Sequence, residues 1–122
     1  MDKIHVVQSG EKDLQYSSGV GRRSVFESES GQVIEIRVTP GLTGGWHHHG
    51  KRTMYGFVVS GKFAMDFNPD QKERVALSKG DFFLIPPELV HRDVNPNAEE
   101  ATVMIFNIGP GPATIEAVGP KD

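Results

Sequence analysis

Short runs in which apolar and polar side chains alternate recur along this chain, and each run ends at glycine, proline or asparagine. The clearest covers residues 32–39, where Gln32, Ile34, Ile36 and Val38 fall on one face. A period of two is that of a half-buried strand. Further strands are predicted at residues 54–60, 62–67, 74–77, 82–85, 90–94 and 101–108, with a further edge strand at 113–118. No apolar pattern near a period of 3.6 persists beyond two turns, so about eight or nine strands are expected to form an all-β jelly-roll barrel of two antiparallel sheets.

The N-terminal part of the chain is the least regular. Residues 2–7 have the composition of a short strand, whereas residues 19–23 have that of a loop. The continuous apolar run at residues 82–85 predicts a strand that is covered on both sides. We therefore expect one domain over residues 1–122, with an N-terminal segment at 1–30, a barrel core at 31–109 and a C-terminal tail at 110–122.

Composition excludes several classes of function. A chain of 122 residues is the size of one domain. A net charge of -3 gives no basic surface for nucleic acid. Because there is no cysteine, thiolate nucleophiles and cysteine-type zinc sites are excluded. No apolar run is long enough for a membrane span, and the start lacks the pattern of a signal peptide, so a cytoplasmic location is expected.

Four of the five histidines lie in two places, at His47, His48 and His49 and at His91. In an extended segment, alternate side chains point the same way, so His47 and His49 are expected to face the interior while His48 faces outward. If the strands close into a barrel, His91 approaches the same point from another strand. Three neutral imidazoles leave coordination positions open, which is typical of a catalytic or substrate-binding metal. A surface histidine tract that binds metal by accident is the alternative interpretation.

The spacing around these histidines resembles that of the cupin superfamily. The first cupin motif is a Gly, His-x-His, four residues, a Glu, six residues and a Gly; here His47-His48-His49 is followed by four residues, Met54 and, after six more, Gly61. The second motif is a Gly, five residues, Pro-x-Gly, two residues, His, three residues and Asn, which corresponds to Gly80, Pro86-Pro87-Glu88, His91 and Asn95. The match covers about residues 32–108 and implies a double-stranded β-helix.

Two departures from this pattern affect the expected site. Glu88 replaces the Gly of the second motif, and Met54 replaces the acidic metal ligand of the first. The resemblance then implies a three-histidine site of His47, His49 and His91 with one divalent ion per chain. Ferrous iron is the ion expected from three-histidine cupins, although the ligands also suit Mn, Ni, Zn or Cu. The expected pocket residues are Met54, Gly56, Trp46, Arg37 and Asn107.

Three functions are compatible with this resemblance. The first is an iron-dependent dioxygenase that acts on a small anionic or enolisable molecule. The second is a metal-dependent isomerase, epimerase or decarboxylase of a sugar-type acid. The third is a non-catalytic cupin that binds or senses a small molecule, of which a cupin that has lost its metal would be one form. The resemblance also implies a homodimer, while the charge and the absence of a long apolar run predict no nucleic-acid or membrane partner.

Overall fold

The computed structural model describes residues 3–120, which form eleven strands in two antiparallel sheets. In chain order the strands are β1 (Gln15–Ser17), β2 (Val20–Ser28), β3 (Gly31–Val38), β4 (His47–His48), β5 (Thr53–Ser60), β6 (Lys62–Phe67), β7 (Glu73–Ser78), β8 (Phe82–Ile85), β9 (His91–Val94), β10 (Ala101–Ile108) and β11 (Ile115–Glu116). The first sheet has the order β1-β2-β3-β10-β5-β8, and the second has the order β11-β4-β9-β6-β7. This is the all-β jelly roll expected from the sequence.

The core lies between the inner faces of the two sheets. Strand β3 presents Ile34, Ile36 and Val38 inward, as its alternation predicts, and β10 presents Val103 and Ile105 beside them. The second sheet contributes a further set of inward apolar side chains, Phe63, Met65 and Leu77. Burying a large apolar side chain contributes about 1.5–3 kcal/mol to stability. Packing of these two faces therefore holds the sheets together and fixes the position of the cavity between them.

Three predictions about strands require correction. Residues 19–23 do not form a loop, because Val20 begins β2 and pairs with Val38. Gly21 pairs with Arg37 in this strand, and it leaves room for the Tyr16 ring, which lies only 2.9 Å from where a Cβ would be. Residues 3–7 contain no strand, while Asp2 lies outside the described residues.

Strand β8 was predicted to be covered on both sides, and this is also wrong. It is the edge strand of the first sheet. Ile85 faces the core, but Phe82 is 80% exposed and Leu84 is 56% exposed. A short apolar run therefore marked an edge strand whose outer face is not covered within the part of the chain that the structure describes.

Residues 3–120 contain no helix of the length and apolar character that a membrane crossing needs.

Candidate metal centre

Two neighbouring strands of the second sheet bring the three histidines together. His47 begins β4 and pairs directly with His91, the first residue of β9. His49 follows β4, and alternation along this extended segment returns its side chain to the same side as that of His47. His48 pairs with Ile115 of β11 and is not part of the cluster. Convergence therefore depends on the pairing of β4 with β9 as well as on the spacing of His47 and His49.

A backbone carbonyl orients each of the three imidazoles. The Nδ1 atom of His47 lies 2.9 Å from the Gly45 carbonyl oxygen, and that of His91 lies 2.8 Å from the Leu89 carbonyl oxygen. The Nδ1 atom of His49 lies 2.8 Å from the Ala113 carbonyl oxygen. Because a carbonyl only accepts, each Nδ1 carries the proton, and a neutral imidazole then has its lone pair on Nε2. Such hydrogen bonds are the usual means by which ligating histidines are held in one tautomer.

The arrangement of the three nitrogen atoms fits one metal ion. One ligand atom from each ring lies within 4.8 Å of the others, and the Nε2 atoms of His49 and His91 are 3.1 Å apart. Two nitrogens about 2.1 Å from one ion and at right angles to each other would be about 3.0 Å apart. Two lone pairs that face each other at this distance repel unless a cation lies between them. The donor set is therefore suited to a divalent ion that accepts imidazole ligands.

The electrostatic environment keeps two of these histidines neutral. The pKa of His49 is lowered to about 4, mainly by burial and also by the neighbouring His91 and His47, against the opposing effect of the Ala113 hydrogen bond. Burial also lowers the pKa of His91 to about 4, with a contribution from His47. Both rings therefore bear no charge at neutral pH. A metal ion does not have to displace a proton from either of them.

The histidines open onto a cavity of about 310 Å³ between the two sheets. Most of its wall is apolar, including Ile34, Ile36, Met65, Val103 and Ile105. Its polar lining other than the histidines comes from Arg22, Ser24, Glu27, Gln32, Asp93, Asn107 and Thr114. The volume is at the lower end of the range for small-molecule sites. A metal at the histidines would therefore face a small, mostly apolar chamber.

A family model described as the cupin domain matches residues 34–108, which is more than half of the chain. The chain belongs to the cupin family. No curated protein sequence matches it.

Solved structures show the same fold at low sequence identity. The polyketide cyclase RemF from Streptomyces resistomycificus has a TM-score of 0.81 and 15% identity, covering 98% of this chain and 89% of its own. KdgF from Halomonas sp. has a TM-score of 0.71 and 23% identity, covering 87% of this chain and 94% of its own. An oxalate decarboxylase from Lactobacillus farciminis, in a formate complex, has a TM-score of 0.74 and 14% identity. The match covers 88% of this chain and 34% of the decarboxylase chain. At these identities the similarity shows the fold alone.

Two of the five predicted pocket residues line the cavity of this cupin. Met54 is buried on β5 and offers a thioether where the family motif has an acid. Asn107 is fully buried on β10. Its amide nitrogen donates to Gln32 over 3.1 Å, and its amide oxygen accepts from Arg52 over 2.7 Å. Asn107 therefore links Gln32 of the cavity wall to the buried Arg52.

The other three predicted pocket residues lie elsewhere. Gly56 leaves no room for a ligand, because the Phe83 ring occupies the place that a Cβ would take. Trp46 is packed outside the cavity, where its indole nitrogen donates to the Pro120 carbonyl oxygen and the Arg92 guanidinium lies 4.5 Å from its ring centroid. Arg37 is on the outer face of β3, where it forms an ion pair with Glu35.

Three residues at the site were not among the site residues predicted from the sequence. Asp93 shares the inner face of β9 with His91, lines the cavity, and has a pKa that burial raises. Its position two residues after His91 was the signal available. Ala113 orients His49 through its carbonyl group, which no side-chain pattern reveals. Arg22 lines the cavity as well, but it was read as part of a loop.

Proposed function

We propose that this cupin is a metal-dependent enzyme that holds one divalent ion, ferrous iron in the cell, through His47, His49 and His91. Its substrate would be a small anionic or enolisable molecule, and its reaction a dioxygenation. One observation carries the proposal: three imidazoles, each oriented by a backbone carbonyl, direct their Nε2 atoms toward one point at the wall of a small cavity.

The residues around this point have separate roles in the proposed reaction. When bound, the ion supplies Lewis acidity and a template for the substrate. His47, His49 and His91 are neutral ligands, and Met54 adds no negative charge where the family motif has a carboxylate. The positive charge of the ion therefore stays available to an anionic substrate. The apolar walls exclude water, which strengthens that electrostatic attraction.

Asp93 favours a second candidate function, which is isomerisation, epimerisation or decarboxylation of a sugar-type acid. Its carboxyl group faces the cavity and interacts electrostatically with His47 and His49. A carboxyl group in this position is suited to accept a proton from a bound substrate and to return it to another atom. Such chemistry needs no dioxygen, so the two candidates differ in a measurable way.

Oxygen consumption tests the first candidate against the second. Untagged protein reconstituted with Fe(II) under anaerobic conditions would be exposed to dioxygen with a panel of diketones, thiols and phenolic acids. We expect stoichiometric oxygen uptake with at least one compound, loss of that uptake in His91→Ala, and retention in the matched variant His48→Ala. Turnover of sugar-type acids under argon with Mn, Ni or Zn would instead select the second candidate. Tight binding of a compound without turnover would contradict both and indicate a sensor.

We also propose that two copies of the chain pair through the outer face of the first sheet. Strand register places Phe26, Val33, Phe106, Tyr55 and Leu84 in one row across five strands. Phe82 and Ile108 extend this apolar surface, and all of these side chains except the half-buried Val33 are 41% to 80% exposed. Together they offer roughly 600 Å² of exposed apolar area. That area is close to one side of a standard protein interface, and patches of this size are uncommon on monomers.

A further inference from the structure

Arg22 is a cationic side chain at the cavity. It lies on the inner face of β2, in register with Ile36 of β3, which is in turn in register with Val103 of β10. These three residues line the cavity together. Arg22 also lines an adjoining, more open pocket that shares His47, Asp93 and Thr114 with the cavity. Arg22 is exposed, so it stands where the cavity meets solvent.

The other five arginines of the chain have partners. Arg23 and Arg37 pair with Glu35, and Arg74 and Arg92 pair with Asp66. Arg52 donates to Asn107 and to the Gly111 carbonyl oxygen. Within residues 3–120, the guanidinium of Arg22 forms no hydrogen bond or ion pair, and its attraction to the Asp93 carboxyl acts at longer range.

We propose that Arg22 binds a carboxylate of the substrate while a second oxygen-bearing group of the same molecule reaches the metal at the histidines. This inference rests on the proposed metal site and deepens it by naming the substrate class, a small acid with an apolar middle. A guanidinium binds a carboxylate through two parallel hydrogen bonds and holds it in a fixed orientation. The apolar wall between the two ends, which includes Ile36 and Val103, matches the middle of such a molecule.

The neighbouring Arg23 provides a matched control. It has the same side chain one position along β2, but it points to the outer face, where it donates to Glu35 over 2.9 Å. A substitution at Arg23 therefore removes one positive charge at the position next to Arg22 on the same strand. It does not change the cavity. Any effect specific to Arg22 separates local carboxylate binding from a general loss of charge.

Aliphatic dicarboxylates are suitable probes, because one carboxylate can occupy the metal and the other can reach Arg22. Co(II)-loaded protein would be titrated with malonate, succinate, glutarate and adipate, and with the monocarboxylates of the same length, using the cobalt absorption spectrum as the readout. We expect one dicarboxylate to bind at least ~10-fold more tightly than its monocarboxylate in the unsubstituted protein, as a charge-assisted hydrogen-bonded pair allows. The chain length that gives this preference would report the span between the two ends.

Substitutions decide whether Arg22 causes that preference. In Arg22→Gln the preference for the dicarboxylate should fall below ~3-fold, while the dissociation constant of the monocarboxylate stays within ~2-fold of that of the unsubstituted protein. Arg22→Lys should retain an intermediate preference, because lysine keeps the positive charge but lacks the planar guanidinium. Arg23→Gln should behave as the unsubstituted protein. Because Arg22 is exposed and contributes no internal bond, its variants should melt at nearly the same temperature, which a thermal melt would check.

Three outcomes would overturn the proposal. The first is a dicarboxylate preference that survives Arg22→Gln, and the second is the absence of any preference in the unsubstituted protein. The third is an equal weakening of both probe types in Arg22→Gln, which would mean that Arg22 only balances the charge of Asp93. A protein that binds no Co(II) would refute the metal site and this inference with it. Cobalt binding without an Arg22-dependent preference refutes the carboxylate subsite alone.

Discussion

The inner and outer faces of the barrel wall are made from alternate residues of the same strands, but they carry different chemistry. Arg22 faces the cavity, while Arg23 forms an ion pair with Glu35 on the outer face. His47 belongs to the cluster of three histidines, while His48 does not. The inner face of the first sheet is mixed, with polar side chains at one side of an apolar cavity. Its outer face carries an apolar row beside the ion pairs that Arg23 and Arg37 form with Glu35. Alternation thus assigns each residue to a face, but the function of the face depends on what the other sheet or another molecule places opposite it.

Metal binding provides the largest expected difference between the two faces. His91→Ala removes a metal ligand. Loss of a hydrogen bond that only supports a ligand lowers metal affinity by about 10–100-fold, so we expect His91→Ala to lower the affinity for Zn(II) or Fe(II) by more than that. The outward His48→Ala should bind as the unsubstituted protein does. Elemental analysis of untagged protein would show one metal per chain in the latter and almost none in the former. Equal metal content in both variants would mean that the cluster is not the site.

Acid stability of the metal-free protein provides the second difference, because burial lowers the pKa values of two inward histidines, His49 and His91. His49 and His91 have pKa values of about 4 in the folded chain, against about 6.5 unfolded. The unfolded state binds more protons in between, so stability is complete above about pH 6.5 and falls as pH drops toward 4. The loss is at most roughly 3 kcal/mol for each ring.

The free energy of unfolding, measured by urea titration between pH 6.5 and 5, would give this loss. Most carboxylates titrate below this pH range and so contribute little to the change. His49→Gln removes one of the two groups, so its slope against pH should be about half. His48→Ala should keep nearly the full slope, because His48 makes only the smallest contribution to the lowered pKa of His91. A slope that is unchanged in His49→Gln would show that other groups cause the acid sensitivity.

The C-terminal segment affects the inner face more than its sequence suggests. The Ala113 carbonyl orients His49, β11 pairs with β4, and the Pro120 carbonyl accepts from Trp46. Ending the chain before Ala113 should therefore weaken metal binding by about 10–100-fold, as loss of a supporting hydrogen bond does. A chain that lacks only its last two residues is the control. Metal competition with a chromophoric chelator would measure both, and equal affinities would show that Ala113 does not position His49.

Comparison of sequence and structure shows which features a pattern can reveal. The facing of His47 and His49 followed from a period of two, and the fold followed from the number and spacing of strands. The convergence of His91 needed the pairing of β4 with β9, which the motif resemblance supplied and periodicity alone did not. The carbonyl of Ala113 is a backbone group, so the residue type at that position carries no signal for its role.

Two glycines show why local composition was misleading. Gly21 was read as part of a loop, yet it lies inside β2, where the absence of a Cβ leaves room for the Tyr16 ring. Gly56 was read as space for a ligand, yet that space is filled by Phe83, the residue directly opposite on β8. A missing Cβ indicates that something approaches closely. The identity of the approaching group depends on strand register, which a single sequence does not specify.

Assembly provides the smallest expected effect on the site, because it concerns the outer face alone. Phe82→Glu places a charge in the exposed apolar surface at a position that is 80% exposed, so it should shift the protein from dimer to monomer without changing its metal content. Val75→Glu is the matched control, since Val75 is 43% exposed on β7 of the other sheet. Light scattering after size exclusion would give both masses. A protein that is monomeric before substitution would contradict the proposed pairing, and a dimer that survives Phe82→Glu would place the interface elsewhere.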